Sequence, residues 1–264
     1  MNKVRSRLAD FRNIRQVVYF CVITLATLFL SSCATVAPPP VLKPPPAEKV
    51  PVEIIRKDAI HVVAPGETLW RLSKMYDVPT KDIVRNNNLG KSSQLKEGQQ
   101  LVIPNAAPIK PIISLYSSRK WKYIIIHHSA TDDGDALDFN KLHKRKGWNS
   151  IGYDFVIDNG TKGKGDGQIE LSPRWIKQED GAHCNASGMN SKGIGICLVG
   201  NFSKEKVSEK QMDSLVYLVN ILRKHYRIPE DRIMGHGQVK GAKTECPGKY
   251  FPWDEFRRKL KSDS

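Results

Sequence analysis

No Cys-x-x-Cys pair and no His-Glu-x-x-His segment occurs in the 264-residue chain. Their absence excludes the compact zinc finger and the helical metalloprotease site, both of which need ligands close together in sequence. No nucleic-acid motif accompanies the basic composition, and no internal repeat of the kind that builds solenoids or propellers is visible. Cysteine is scarce, with five in the whole chain, too few for a fold held together by disulfides alone. Long apolar runs are also missing. The longest, Val17 to Leu30, falls short of the ~20 residues a membrane-crossing helix needs.

Positive charge, by contrast, is abundant. Lys and Arg number 42 against 27 Asp and Glu, a formal net charge of +15. Such an excess favours polyanions, whether nucleic acid, anionic lipid or acidic cell-wall polymer, although a merely solvated basic surface has the same composition. Part of the excess is local: Lys3, Arg5, Arg7, Arg12 and Arg15 precede the apolar run, which ends in Leu30-Ser-Ser-Cys33. A basic start, a short apolar core and small residues form an export signal, read here as residues 1–32. Leu-Ser-Ser-Cys resembles the bacterial lipobox, which implies cleavage before Cys33 and a lipid on its sulfur; a plain signal peptide or an uncleaved anchor is the alternative. Ala34 rather than aspartate follows the cysteine, which in Gram-negative lipoproteins implies the outer membrane, facing the periplasm. With Cys21 removed, Cys184, Cys197 and Cys246 remain, an odd number that leaves at least one thiol unpaired or ligating.

Residues 33–59 carry Pro38-Pro39-Pro40 and Pro44-Pro45-Pro46 and read as a stiff, extended spacer. A small unit follows over 60–104. His61-Val62-Val63 is a strand candidate, Leu69, Leu72 and Met75/Tyr76 have helical spacing, Thr80 can cap a second helix, and Leu101-Val102-Ile103 closes as a strand. This β-α-α-β order, with Val63-Ala-Pro-Gly-Glu-Thr-Leu-Trp70, Asn87-Asn88-Leu89 and Gly98-Gln-Gln-Leu-Val-Ile-Pro104, resembles a LysM module. The resemblance implies binding of N-acetylglucosamine-containing glycans, with Gly66, Glu67, Thr68 and Asn88 to Gly90 along the sugar site. Trp70, among apolar residues at helical spacing, is expected in the core. Residues 105–119, with Pro108 and Pro111, read as a second linker.

The remainder, 120–264, has room for one α/β domain. Tyr123 to Ile126 is a buried strand that runs into His127 and His128. Side chains alternate along a strand, so the two imidazoles point to opposite faces and do not chelate one metal together. Ile151 to Ile157, Gly193 to Val199 and Asp231 to Met234 read as further strands. Ser208-Glu-Lys-Gln211 is a capping box opening a helix with a stripe of Met212, Leu215, Val216, Val219 and Leu222. A shorter helix is expected from about Ala136 to Lys146, and Gly160 to Gly167 reads as a mobile hairpin tip. Downstream, His236 and Cys246 sit on Gly- and Pro-rich segments. A thiolate and two imidazoles suit Zn²⁺ and would leave a fourth position for water; with no compact motif, a core histidine, a turn histidine and a buried thiol are the competing reading.

Five phrases then align in order: Ile124-Ile-Ile-His-His-Ser-Ala-Thr131, Gly147-Trp-Asn-Ser-Ile-Gly-Tyr-Asp-Phe155, Ser191-Lys-Gly-Ile-Gly-Ile-Cys-Leu-Val-Gly200, Gly235-His236 and Thr244-Glu-Cys-Pro-Gly248. Together they resemble the type 2 N-acetylmuramoyl-L-alanine amidases, which include phage lysozyme-type amidases and peptidoglycan recognition proteins. The resemblance implies zinc held by His127, His236 and Cys246, with Tyr153 and Thr244 as catalytic residues. It places His183 where the substrate cleft is lined, as a substrate contact or a packing residue. It implies cleavage of the amide between N-acetylmuramic acid and the L-alanine of the stem peptide by a zinc-activated water. A non-catalytic peptidoglycan-binding lipoprotein is the alternative. Glu170 is a second choice of general base, or an exposed strand residue. His128 and His143 are expected to be structural, Cys197 inert, and a Cys184–Cys197 disulfide is one option in an oxidising compartment.

The expected architecture is thus a mixed central β-sheet flanked by helices over 120–264, preceded by a small β-α-α-β module. The expected partners are peptidoglycan and, through the N-terminal lipid, a membrane, with no nucleic acid and a monomeric chain.

Overall fold

A computed structural model describes residues 54–90, 94–118 and 120–262. The export signal, Cys33 and all but the last residues of the proline-rich spacer lie outside the described residues. No described helix is long and apolar enough to cross a membrane.

The first module consists of β1 (Lys57–Val62), α1 (Leu69–Tyr76), α2 (Thr80–Asn86) and β2 (Gln100–Ala106), with the strands paired antiparallel. It has the expected order, although β1 begins inside the expected spacer and β2 runs past Pro104. The Thr68 hydroxyl accepts from the Arg71 amide (3.2 Å) and starts α1. Leu72, Met75, Tyr76, Ile83, Leu101 and Ile103 close a small core. Trp70 is not part of it and is 58% exposed. The buried stripe runs through Leu72 and Met75, and a residue two positions before Leu72 points to the far side of the helix. Asn87 behaves like a short strand: its amide donates to the Val102 carbonyl and its oxygen accepts from the Val102 amide, both at 2.7 Å.

In the second module the strands are β3 (Tyr123–His128), β4 (Phe155–Asn159), β5 (Asp166–Leu171), β6 (Gly193–Leu198) and β7 (Ile233–Gly235), and the helices are α3 (Ala136–Arg145), α4 (Pro173–Lys177), α5 (Met189–Lys192), α6 (Glu209–Tyr226) and α7 (Trp253–Ser262). The sheet order is β5-β4-β6-β3-β7; β3 is parallel to both neighbours, β4 is parallel to β6, and β5 alone is antiparallel. This is the expected mixed sheet, with β6 in the centre. One face presents Ile124, Ile126, Ile194, Ile196 and Leu198 to the α6 stripe and to Phe256 and Leu260 of α7. The capping box at α6 is formed, and the Gln211 amide extends it by donating to the carbonyls of Val199 (2.8 Å) and Ile157 (3.3 Å). Helix and strand ends are thereby tied together on the side of the sheet that carries no chemistry.

Side-chain hydrogen bonds tie down residues 112–116 of the segment between the modules. Trp175 donates its indole N–H to the Ser114 carbonyl (2.8 Å), Tyr226 its hydroxyl to the Tyr116 carbonyl (2.9 Å), and Arg71 its guanidinium to the Ile112 carbonyl. The two modules also touch directly. Glu97 accepts from Asn140 (3.0 Å) and Lys144 (3.2 Å) of α3, and a Cβ on Gly66 would meet Ile176 of α4 at 2.8 Å. The Gly/Lys-rich hairpin between β4 and β5 supplies the deepest contact. Lys164, expected at a mobile tip, is buried; its ammonium pairs with Glu170 (2.8 Å) and donates to the Val62 carbonyl of β1 (3.1 Å). Glu170 is therefore neither an exposed strand residue nor a base at the site: it is 1% exposed and also accepts from the Ala136 amide (2.8 Å). Asp158 beside it is pushed well above the usual carboxylate range by burial and by the Glu170 charge.

Breaking the Lys164–Glu170 pair by removing one partner leaves a buried charge without compensation. Lys164→Met is expected to lower unfolding stability by roughly 3 kcal/mol in urea melts and to open the 105–119 segment to protease. Lys162→Met, on the exposed Asp133 pair of the same hairpin, is expected to leave the urea midpoint essentially unchanged.

Candidate metal centre

Strand alternation separates the two adjacent histidines as expected. His127 is 1% exposed and shares a face with Ile125, while His128 turns to the other side, where its Nδ1 accepts from the Phe202 amide (3.1 Å). Parallel pairing places the C-terminal ends of β3 and β7 side by side, so His236, the first residue after β7, arrives with its ring 4.7 Å from that of His127. Glycines flank His236, and both permit close approach. A Cβ on Gly235 would meet Pro247 at 2.6 Å, and one on Gly237 would overlap the Thr244 carbonyl. The Gly237 amide donates to the Cys246 carbonyl (2.7 Å), which draws the Thr244–Gly248 loop against the turn. Cys246 accepts a hydrogen bond at its sulfur from the His128 amide (3.4 Å).

One nitrogen of His127, one nitrogen of His236 and the sulfur of Cys246 lie within 4.8 Å of one another. The Nδ1 of His127 is the atom nearer the thiol, 3.7 Å from Sγ. Two neutral imidazoles and a thiol converging on one point form a donor set suited to Zn²⁺. Burial, reinforced by the neighbouring imidazoles, holds His127 well below the ordinary histidine range, and burial lowers His236 as well, so both present lone pairs. Burial pushes the Cys246 thiol up to about 12; a bound dication reverses that preference by favouring the thiolate.

A cleft of about 230 Å³ opens over these three residues. Tyr153 lines it, its ring 5.3 Å from His127, and burial among Cys197 and Cys246 raises its hydroxyl well above the usual tyrosine range, so it remains a proton carrier and donor. Thr244 stands exposed at the lip, its hydroxyl accepting from the Cys246 amide (3.2 Å). His143 supports the wall from α3: its Nδ1 accepts from the Gly152 amide (3.0 Å), one residue before Tyr153, and its ring lies 4.5 Å from Trp148. Trp148 itself borders the cleft and is 37% exposed, a position that the sequence marks only by an aromatic ring beside a turn glycine.

His183 borders the same cleft and takes the packing position that the sequence leaves open beside a substrate contact. Its side chain is fully buried behind His127, with Nδ1 3.1 Å from His127 Nε2 and Nε2 3.1 Å from the Gly193 carbonyl. Burial lowers it to about 4, so it is neutral. Cys184, Cys197 and Cys246 are all free thiols, and the Cys184–Cys197 disulfide does not form. Gly66, Thr68 and Asn88 of the first module are exposed and lie apart from this cleft, whereas Glu67 is buried and bonded to His61 (2.7 Å) and the Ala64 amide (2.7 Å).

Residues 117–249 match the family model described as N-acetylmuramoyl-L-alanine amidase, and residues 61–104 match the LysM domain. Peptidoglycan-recognition protein LB of Drosophila melanogaster is 35% identical over 139 residues, covering 48% of this chain and 54% of its own. The endolysin of Enterobacteria phage K11 is 31% identical over 130 residues, covering 46% and 77%. Among solved structures, the N-acetylmuramoyl-L-alanine amidase LysC from Clostridium intestinale URNW shares 32% identity over 58% of this chain and 97% of its own, with a TM-score of 0.46. The chain spans about half the length of the first curated relatives it matches. The amidase family model spans all five phrases that surround the cleft, and the chain belongs to the N-acetylmuramoyl-L-alanine amidase family, with a LysM domain ahead of the amidase domain.

Proposed function

We propose that the protein is a zinc-dependent N-acetylmuramoyl-L-alanine amidase that cuts peptidoglycan between muramic acid and the L-alanine of the stem peptide. The observation that carries the reading is the convergence of His127, His236 and Cys246 within 4.8 Å at the floor of an open cleft. Cys246, the soft third donor that completes the set, favours turnover over recognition alone, the reading that the recognition proteins among the relatives would otherwise suggest.

Zn²⁺ bound by these three residues would supply a Lewis acid and lower the pKa of a water toward about 7. The chain supplies the rest. Tyr153, protonated and close to Cys246, can donate a hydrogen bond where negative charge develops on the scissile carbonyl oxygen. Thr244 offers a second, neutral donor from the lip; lacking a cation, it stabilises that charge less than a lysine would. Trp148 gives the cleft an apolar wall for the sugar or peptide. Glu170 takes no part, being committed to Lys164.

In the same reading, the N-terminal lipid on Cys33 tethers the enzyme to the outer membrane on its periplasmic side, and the proline-rich spacer holds it off the bilayer. The LysM module keeps it on glycan strands through the exposed residues Gly66, Thr68 and Asn88, raising the local substrate concentration by tethering.

Incubation with purified peptidoglycan is expected to release free stem peptides, to stop on chelation and to resume with added zinc. Cys246→Ser is expected to reduce bound zinc from about one per chain to near none, with loss of product but retention on insoluble peptidoglycan. Retention without product from the zinc-loaded wild type would establish the recognition reading instead. Thr244→Val is expected to lower kcat roughly tenfold with KM little changed, the signature of a donor used in the transition state.

A further inference from the structure

We propose that His183 is a positioning residue that fixes the tautomer of His127, holding its proton on Nε2 so that Nδ1 is free to take the metal. The inference rests on the zinc reading above. It follows from which atoms can donate. His183 Nε2 lies 3.1 Å from the Gly193 carbonyl oxygen, and a carbonyl only accepts. The single proton of the neutral ring therefore sits on Nε2, and Nδ1 is left as an acceptor. That Nδ1 lies 3.1 Å from His127 Nε2, so His127 must be the donor in this contact. Its remaining lone pair is then on Nδ1, the nitrogen 3.7 Å from Cys246 Sγ. A proton on Nδ1 instead would face the thiol and block the ligand position. Metal-binding histidines commonly direct their second nitrogen to a carboxylate or a backbone carbonyl. Here the carbonyl is reached through a second imidazole, so two rings in series link the backbone of β6 to the ligand nitrogen.

The sheet has made room for this ring. Tyr123, Ile125 and His127 lie opposite Gly193, Gly195 and Cys197 in the β3–β6 register. A Cβ on Gly195 would overlap the His183 imidazole, and one on Gly181 would come within 2.5 Å of it. Neither glycine has a positive φ, so what each position requires is space rather than an unusual backbone. The nearest carboxylate, Asp154, stands 4.0 Å from His183 Nε2 and accepts instead from the Gly195 amide (2.8 Å), leaving the Gly193 carbonyl as the partner that sets the direction.

The test uses the full chain, stripped of metal and titrated with zinc against a chromophoric chelator, for wild type, His183→Leu, His183→Asn and Gly195→Ala. His183→Leu fills the pocket but accepts nothing and is expected to weaken zinc binding by 10- to 100-fold. His183→Asn, whose side-chain carbonyl can take the His127 N–H, is expected to stay within about threefold of wild type. Gly195→Ala, which displaces the ring, is expected to follow His183→Leu. In the cobalt-substituted protein the visible spectrum should change for His183→Leu and not for His183→Asn. Thermal unfolding of the metal-free forms separates packing from positioning. Zinc binding by His183→Leu that equals wild type overturns the assignment, as does equal weakening in Leu and Asn that tracks lost metal-free stability. A wild-type protein that takes up no zinc fails the metal reading itself and removes the role of His183 with it.

Discussion

Parallel pairing of β3 with β7 is the constraint on which the centre depends. A strand fixes the direction of each side chain, and two parallel strands bring their carboxyl ends to the same edge, so a histidine at the end of one meets a histidine just beyond the other. Antiparallel pairing would have sent His236 to the opposite end of the sheet. Cys246 is then delivered by a loop whose position is set by backbone bonds to the same turn. Three donors scattered over about 120 residues of sequence thus converge with no contribution from a flexible side chain long enough to search for its partners.

The two faces of the sheet divide the work. The face toward α6 and α7 is predominantly apolar, with branched aliphatics and Phe155, and supplies the burial that stabilises the domain. The other face gives up that burial in places: Gly193, Gly195, Cys197 and His127 stand where bulkier aliphatics would pack better. Small residues there leave volume for imidazoles and a cleft, a local departure from the packing rule of the kind found at functional sites. A similar trade occurs at the junction with the LysM module, where Lys164 and Glu170 are buried together. Such a pair adds little net stability but fixes one arrangement, because each charge left alone would be costly.

Much of this was legible in the sequence because it is local. The alternation of His127 and His128, the Ser208–Gln211 capping box and the α6 stripe each need only a neighbour two to four residues away. Proximity of His127, His236 and Cys246 was reachable through the resemblance of whole phrases. Residues whose surroundings come from elsewhere in the chain are less legible. Nothing in Gly181-Ala-His183 reveals that Gly195 leaves the hole behind His127 in which the His183 ring sits. Glu170 gave no sign of burial because its partner sits at the tip of its own hairpin and the surface that buries both is β1, more than 100 residues earlier. Trp70 has apolar neighbours that suggest the core, yet its angle on α1 puts it outside.

The two bonds from Asn87 to Val102 have a consequence for how the chain survives outside a compact fold. A two-stranded sheet has two open edges, and each is a template on which another extended chain can add. By occupying both the donor and the acceptor of Val102, the Asn87 amide closes the middle of the β2 edge with one side chain. That single residue protects a small module against strand addition and aggregation without the cost of another strand or a covering helix.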